Sequence, residues 1–546
     1  MNKILKFGGT SLNTPERIKK VIKIIIKSQK DHSQIAVVFS ALGEVTDQLI
    51  QIASLSAQRK NYKKLLKELE KRHLDTVESL ITKQNQSQVL NIIRIKFREL
   101  QKELAAIFSK KELSLKDLDL VMSFGEWLST YIISQALKNQ GLKVEFLDAR
   151  KFIRTDDSFG VAQVDYKITY RQIKNYFKKA KALSAITGFI ASSQKGQTTT
   201  LGRGGSDFTA ALFGAALSVD EVEIWTDVDG VMTTDPRKVV NAFPIKTMTY
   251  EEAMEMSHFG AKVIYPPTIR PVSDKKIPIR IRNSFNPKFA GTFISDQTNP
   301  TDFTIKGITS VEHIALLRLQ GAGMIGVAGI SHRLFGALAK EKISVILISQ
   351  ASSEHSICCV IDSKVIRKAK KAVAKEFSFE IKQHVIDQVV IEDNLLILAI
   401  VGENMRRKPG VSGELFQTLG RNRINVVAIA QGSSELNISI VINKEDEVRA
   451  LNTIHQAFFQ PKENRLNLFM VGTGTIGKTL LKQIKKTLPN IRLIALGNSK
   501  KMVFNQQGIS LGNWEQELGD ALEPMNIKGF MKRIKKFNPG NSVFID

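Results

Sequence analysis

Lys6-Phe7-Gly8-Gly9-Thr10-Ser11 is the stretch on which the reading of the whole chain turns. The apolar pair Ile4-Leu5 precedes it. Pro15-Glu16-Arg17-Ile18 then opens a pattern with apolar residues at Ile18, Val21, Ile22 and Ile25. The order is strand, glycine turn, helix. Two adjacent glycines let the backbone approach a bound group closely. Their N–H groups and the positive end of the following helix suit an anion such as a phosphate. Lys6 falls at the strand end beside that anion position. This is not a Walker loop, because the lysine precedes the glycines and no Gly-Lys-Ser/Thr follows. Taken alone, the hexapeptide reads equally well as an ordinary turn with a solvated lysine.

The 546 residues, 43% of them hydrophobic, are enough for about three to five domains with cores of their own. The first residues run straight into the Lys6 motif, which leaves no room for a signal peptide. No apolar run reaches the length of a membrane span. The two cysteines, Cys358 and Cys359, are neighbours that point to opposite faces of a strand, so no disulfide between them and a cytosolic setting are expected. The net charge of +26 is spread along the chain without a nucleic-acid motif. It reads as a Lys-rich solvated surface that tolerates anionic small substrates, not as a nucleic-acid or membrane interface.

Residues 35 to 39 have the apolar run of a buried parallel strand. Ser40-Ala41 follows, and Thr46 and Asp47 start a helix, where they serve as caps or face a ligand at the strand ends. Residues 58 to 118, with Leu65, Leu66, Leu69 and Leu74, read as a helical insertion covering one side of the sheet. Ser123-Phe124-Gly125-Glu126 is expected to open a helix running through Leu128 to Leu137. Glu126 would then stabilise a helix start or bind an amino group. Strands are expected at 143–147 and 184–190.

Leu201-Gly202-Arg203-Gly204-Gly205-Ser206-Asp207 is a second glycine loop, opening a helix over Phe208–Leu217. Arg203 can grip a carboxylate bidentately. Asp207 caps the helix or orients Lys6. Val222 to Gly230 reads as strand then turn. Its Asp-x-Asp-Gly piece fails as a calcium loop, because Trp225 and Pro236 would fall on the first and last ligand positions, and no metal site is expected. Thr233-Thr234-Asp235-Pro236-Arg237 continues that loop, and Lys262 lies near a later turn.

Lys-Phe-Gly-Gly-Thr-Ser, Gly-Glu, Gly-Arg-Gly-Gly-Ser-Asp, Trp-Thr-Asp-Val-Asp-Gly and Phe-Gly-Ala-Lys-Val, in that order over residues 4–263, resemble aspartate kinase, a member of the amino-acid kinase fold. The resemblance implies an α/β domain over 1–295, a mostly parallel sheet sandwiched by helices. It implies transfer of the γ-phosphoryl of ATP to the β-carboxylate of L-aspartate, giving 4-phospho-L-aspartate for threonine, methionine and lysine synthesis. Such a step rests on positioning and charge. The resemblance gives Lys6 the transferring phosphoryl group, and Asp207 the ordering of the cations around it. Gly8 and Gly9 become N–H donors. Arg203 holds a carboxylate of aspartate, while Glu126 and Thr46 contact the rest. Thr226, Asp227, Arg237 and Lys262 line the nucleotide site, and Mg²⁺ arrives with ATP. The chain departs from the family at Phe124, where a His or Arg is usual, and at Met232, where a Tyr is usual.

Residues 343–361 (ISVILISQASSEHSICCVI) and 424–442 (INVVAIAQGSSELNISIVI) repeat each other at an offset of 81 residues, which also carries Gly329-Ile330-Ser331 onto Gly410-Val411-Ser412. This is an internal duplication. It resembles a pair of ACT domains, implying two βαββαβ units over 305–390 and 391–462, with Gln350 and Gln431 contacting an effector. Threonine is the expected inhibitor, and the units are expected to join copies of the chain into a homo-oligomer.

From 465 to 546 the pattern changes again. An apolar strand leads into Gly472-Thr473-Gly474-Thr475-Ile476-Gly477, a helix over Lys478–Thr487 and a strand over Ile491–Leu496. This is the context of a dinucleotide fingerprint. No acidic residue follows the second strand, and Lys500 lies near, which favours NADP over NAD. The domain order resembles bifunctional aspartokinase–homoserine dehydrogenase with only the start of a Rossmann half. The expectation is a remnant without dehydrogenase activity, closing on a buried strand at Ser542–Asp546 and loosely held or packed on a partner. A non-catalytic amino-acid sensor that keeps the kinase scaffold is the alternative.

Overall fold

The computed structural model describes residues 2–31, 34–260, 265–297, 303–350, 355–460, 466–488, 490–537 and 542–546. The chain divides into two compact units, one of residues 1–407 with 428–441, the other of 408–427 with 442–546.

The first unit is built on an eight-stranded sheet in the order Val144–Leu147, Leu183–Thr187, Gln34–Phe39, Asn2–Phe7, Glu221–Thr226, Ile279–Asn283, Thr292–Ser295, Thr247–Thr249. Its first six strands run parallel. The strand of the opening hexapeptide is central, and Lys6 stands in register with Val38 and Ile224. Alternation then assigns each side chain its layer. Leu5 and Phe7 enter one core with Val37, Phe39 and Trp225. There Phe7 stacks between Phe39 and Trp225, with ring centroids 6.1 and 5.8 Å apart. Ile4 enters the opposite core with Val38, Ile224 and the helix Gly205–Leu217. Lys6, between Leu5 and Phe7, points to that second side.

The Lys- and Leu-rich stretch forms two helices, Lys63–Leu80 and Lys83–Lys110, which supply Leu66, Leu69, Ile93 and Leu104 to the first core. His73 is sealed inside it. Its Nδ1 meets the Leu69 carbonyl at 2.8 Å and its ring lies edge-on to Phe97. Burial pushes its pKa down to about 4, against a smaller upward pull from that carbonyl. Because the folded value lies below the unfolded one, the contribution to stability is complete above about pH 6.5 and is lost as pH falls toward 4, ~3 kcal/mol in all. A His73→Leu variant is expected to show a flatter loss of melting temperature than wild type over that window; parallel curves would contradict this.

The expected helix start at Gly125-Glu126 is corrected. Ser114 caps a helix that runs from Leu115 to Asn139, accepting from the Asp117 N–H, so Glu126 sits mid-helix. Gly125 is there for packing: a Cβ at this position would press on the Ala41 Cβ at 3.0 Å. The expected strand 184–190 is also corrected. It ends at Thr187, turns through Phe189 at φ 66, and resumes as Ile190–Ser193 in a small three-stranded sheet with Arg154–Thr155 and Thr198–Thr200.

The repeat builds a six-stranded sheet in the order Leu347–Gln350, Ser356–Asp362, Gly307–Gln320, Val390–Val401, Asn437–Asn443, Ala428–Gln431. Among the described residues each copy brings three strands of its own to this sheet. The two long strands pair antiparallel with a register shift near His313, and each fills the fourth place beside the other copy's long strand. The two short strands touch where the Ser349 hydroxyl donates to the Ile429 carbonyl at 3.0 Å. Cys358 and Cys359 are free thiols.

In the second unit lie the helices Val411–Arg421 and Glu447–Phe459 and a four-stranded sheet in the order Met502–Ile509, Ile491–Gly497, Leu466–Val471, Ser542–Ile545. Met502–Ile509 is antiparallel to its neighbour and the other three strands are parallel. The helix Thr475–Thr487 follows the glycine turn. Gly472 is left-handed at φ 100, and a Cβ on Gly477 would collide with the Gly472 carbonyl, so the helix packs closely on the turn; Gly474 has open space around it. The closing strand is not buried as expected. It is a sheet edge with Val543 36% and Phe544 39% exposed. Among the described residues no helix is long and apolar enough to cross a membrane.

Candidate active site at the strand ends

Lys6 forms an ion pair with Asp207, the side chains being 11% and 13% exposed. Parallel strand order makes this meeting possible: Lys6 points toward the helix Gly205–Leu217, and Asp207 lies in that helix's first turn. Gly204, at φ 69, precedes the helix, and any Cβ there would collide with Tyr265, so the loop admits only glycine at this point.

The two glycines of the first motif do not act alike. Gly8 N–H donates to the Trp225 carbonyl at 3.2 Å, which corrects its expected part as an anion donor. Gly9 opens a short 3-10 turn, Gly9–Leu12, that separates the strand from the helix Pro15–Asp31. A Cβ on Gly9 would lie 3.2 Å from the Ala41 carbonyl oxygen, so this turn abuts the end of Gln34–Phe39. Ser11, buried, bonds Ser284 at 2.8 Å, and the Ser284 hydroxyl also reaches the Thr226 carbonyl at 3.0 Å. Ser284 thus joins the first glycine turn to the strand end at Thr226. Nothing in its sequence context singled it out.

Glu126 is 3% exposed. One carboxyl oxygen accepts from the Ala41 N–H at 3.3 Å, and the other is buried without a partner. Burial pushes its pKa up to about 8, partly offset by the Ala41 hydrogen bond. An orphaned buried carboxyl oxygen is costly unless a ligand donor completes it. The same loop is held from the same helix by Ser129, whose hydroxyl donates to the Ser40 carbonyl at 2.7 Å. Thr46 is half-buried as the second residue of the helix Val45–Ala57. Phe124, in the position usually basic in the family, is buried in the first apolar core. Arg203 is exposed between Gly202 and Gly204, both left-handed, and among the described residues no ion pair holds it.

Thr226 ends its strand and donates to Asp227 at 3.0 Å; Asp227 is exposed. Arg237 is 79% exposed and forks onto Asp235, with its closest contact at 2.6 Å. Met232 is half-buried and bridges to Pro244. Lys262 lies outside the described residues. This loop is tied to the long strand Gly307–Gln320: the Ile308 N–H donates to the Thr233 carbonyl at 2.7 Å, and Lys238 pairs with Glu312 at 2.7 Å. Gln350 and Gln431 end the two short strands of the six-stranded sheet, both exposed. Among the described residues no group of three or more metal-ligating side chains is present.

The model of the amino acid kinase family matches residues 1–283, and that of the ACT domain matches 317–377 and 398–458. The chain is 36% identical over 559 residues to bifunctional aspartokinase/homoserine dehydrogenase 1, chloroplastic, of Zea mays, covering 99% of this chain and 60% of that one. It is 34% identical over 556 residues to the bifunctional aspartokinase/homoserine dehydrogenase of Buchnera aphidicola, covering 100% and 68%. Among solved structures, E. coli aspartokinase III in complex with aspartate and ADP superposes with a TM-score of 0.72 at 27% identity, covering 84% of this chain and all of that one. The chain belongs to the aspartokinase family, and spans about three fifths of the length of its curated plant relatives.

Proposed function

We propose that the chain is an aspartate kinase, converting ATP and L-aspartate to ADP and 4-phospho-L-aspartate. The observation that carries this reading is the buried Lys6–Asp207 pair at the ends of the parallel strands. Glu126, with an unpartnered oxygen, opens beside the neighbouring loop. Lys6 offsets charge on the transferring phosphoryl group, and Asp207 fixes the position of that ammonium. Glu126 takes the amino group of aspartate and Arg203 a carboxylate. Gly9 offers the N–H that Gly8 does not. Thr46 borders the acceptor, and Thr226, Asp227, Arg237 and Lys262 border the nucleotide. Mg²⁺ would be carried by the phosphates of ATP.

Gln350 and Gln431 are the proposed effector contacts, with threonine as inhibitor. The Thr233–Ile308 and Lys238–Glu312 contacts supply a route from that sheet to the nucleotide loop. The relative solved with lysine and aspartate, E. coli aspartokinase III, makes lysine the competing effector to test. Exposed Ile348 and Ile429 on the short strands support association of copies through this sheet. Residues 465–546 hold NADP contacts at most, through Gly472, Gly474 and Gly477, without dehydrogenase turnover, and the protein is placed in the cytoplasm.

ADP release that depends on aspartate and falls with added threonine is the expected result. Release unaffected by threonine but suppressed by lysine would reassign the effector. Threonine binding without any aspartate-dependent release would favour the sensor reading, for which the buried apolar Phe124 speaks. NADPH oxidation with aspartate semialdehyde is expected to stay at background.

A further inference from the structure

The helix that carries Glu126 carries a second buried carboxylate two turns earlier, Asp119, on nearly the same face. Asp119 is fully buried, and among the described residues no cation pairs with it. It accepts three hydrogen bonds instead. Oδ2 takes the Gly160 N–H at 2.9 Å and the Thr200 N–H at 3.0 Å. Oδ1 takes the Thr200 hydroxyl at 2.7 Å.

Both partners are attachment points of the second glycine loop. Thr200 ends the strand Thr198–Thr200, two residues before Gly202. Gly160 lies in the segment beneath it, where the Ala162 N–H donates to the Thr200 carbonyl at 3.1 Å. A Cβ on Gly202 would come within 2.8 Å of Val161, so the loop rests directly on that segment. Arg203 follows, flanked by two left-handed glycines and, among the described residues, held by no ion pair. Its placement therefore depends on how firmly the loop is fixed at its base.

We propose that Asp119 is a positioning residue for acceptor binding: by clamping Thr200 and Gly160 it sets the distance between Arg203 and Glu126. Resting on the aspartate-kinase reading, this makes one rigid helix the ruler between the amine-binding and carboxylate-binding ends of the site. A dicarboxylic amino acid one methylene longer would fit that separation poorly. Loosening the clamp weakens acceptor binding and blurs the choice between aspartate and glutamate, while the nucleotide side stays as it was.

The test uses the full chain. Thr200→Val removes one donor to Asp119 at constant shape, and Thr200→Ser keeps it. Losing a hydrogen bond to a buried carboxylate is expected to raise the KM for aspartate about tenfold. The KM for ATP should stay within about twofold, and the preference for aspartate over glutamate should shrink. Thr200→Ser should behave as wild type. Asp119→Leu, which removes both acceptor oxygens and leaves the Gly160 and Thr200 N–H groups unpaired, should show the same split more strongly. If it fails to fold, the two Thr200 variants decide. A folded Thr200→Val protein with unchanged KM for aspartate, or with both KM values raised together, overturns the positioning role. Wild-type protein that neither binds aspartate by calorimetry nor turns it over overturns the aspartate-kinase reading itself, and this proposal with it.

Discussion

Replacing Lys6 by methionine is expected to lower kcat for aspartate phosphorylation on the order of 10²–10³-fold, with little change in either KM. Phosphoryl transfer asks little covalent chemistry of the protein, so a preorganised positive charge at the moving group is a large share of what the site can contribute. Lys6 is already held by Asp207 and largely shielded from water, so no reorganisation is needed when charge develops. The substitution also strands Asp207, and breaking a buried pair by removing one member costs roughly 3–5 kcal/mol. A lowered melting temperature is therefore expected alongside lost turnover. The double variant Lys6→Met with Asp207→Asn separates the two effects: it should regain most of the melting temperature and none of the activity. A single variant within about threefold of wild-type kcat would contradict the assignment.

The second large effect is the pH dependence of aspartate binding. Burial holds the Glu126 pKa up at about 8, so near pH 7 the free protein carries this group about nine-tenths protonated. The amino group of aspartate needs the carboxylate. The KM for aspartate should therefore fall close to tenfold per unit from pH 6 toward 8 and level off above it. Stability runs the other way. The folded pKa lies above the ordinary 4.5, so the neutral group's contribution is complete below that value. It is lost as pH rises through the window to 8, by about 1.4 kcal/mol per unit. Glu126→Gln should raise the melting temperature of the ligand-free protein at pH 8. It should also raise the aspartate KM at least a hundredfold and abolish its slope with pH. A slope that persists in the Gln variant would place the titration elsewhere.

Local chemistry was legible in the sequence wherever neighbours along the chain decide it. The Ile4-to-Ile25 stretch reads as strand, turn and helix, and the offset of the two repeats reveals a duplication. What failed were statements that need a partner from elsewhere. Gly125 looks like a helix opening until Ala41 is seen against it. Gly8 looks like a free donor until the Trp225 carbonyl takes its N–H. Asp119, in Lys116-Asp117-Leu118-Asp119-Leu120, belongs to no motif singled out above, yet it is sealed among loop amides. The repeat spacing could not disclose that the two copies share their long strands, because that depends on which edges pair. The closing strand has the apolar residues of a buried one, but in this chain it lies at the sheet edge. Lys6 and Asp207 were matched to their roles by family resemblance, and parallel register explains why they meet.

The most direct test of the central claim is to trap the product. Full-length protein incubated with ATP, Mg²⁺ and L-aspartate in the presence of hydroxylamine should yield aspartate β-hydroxamate. The yield should scale with protein and be absent with Lys6→Met. Hydroxamate at the level of the Lys6→Met control, from folded wild-type protein that binds ATP, would contradict the account.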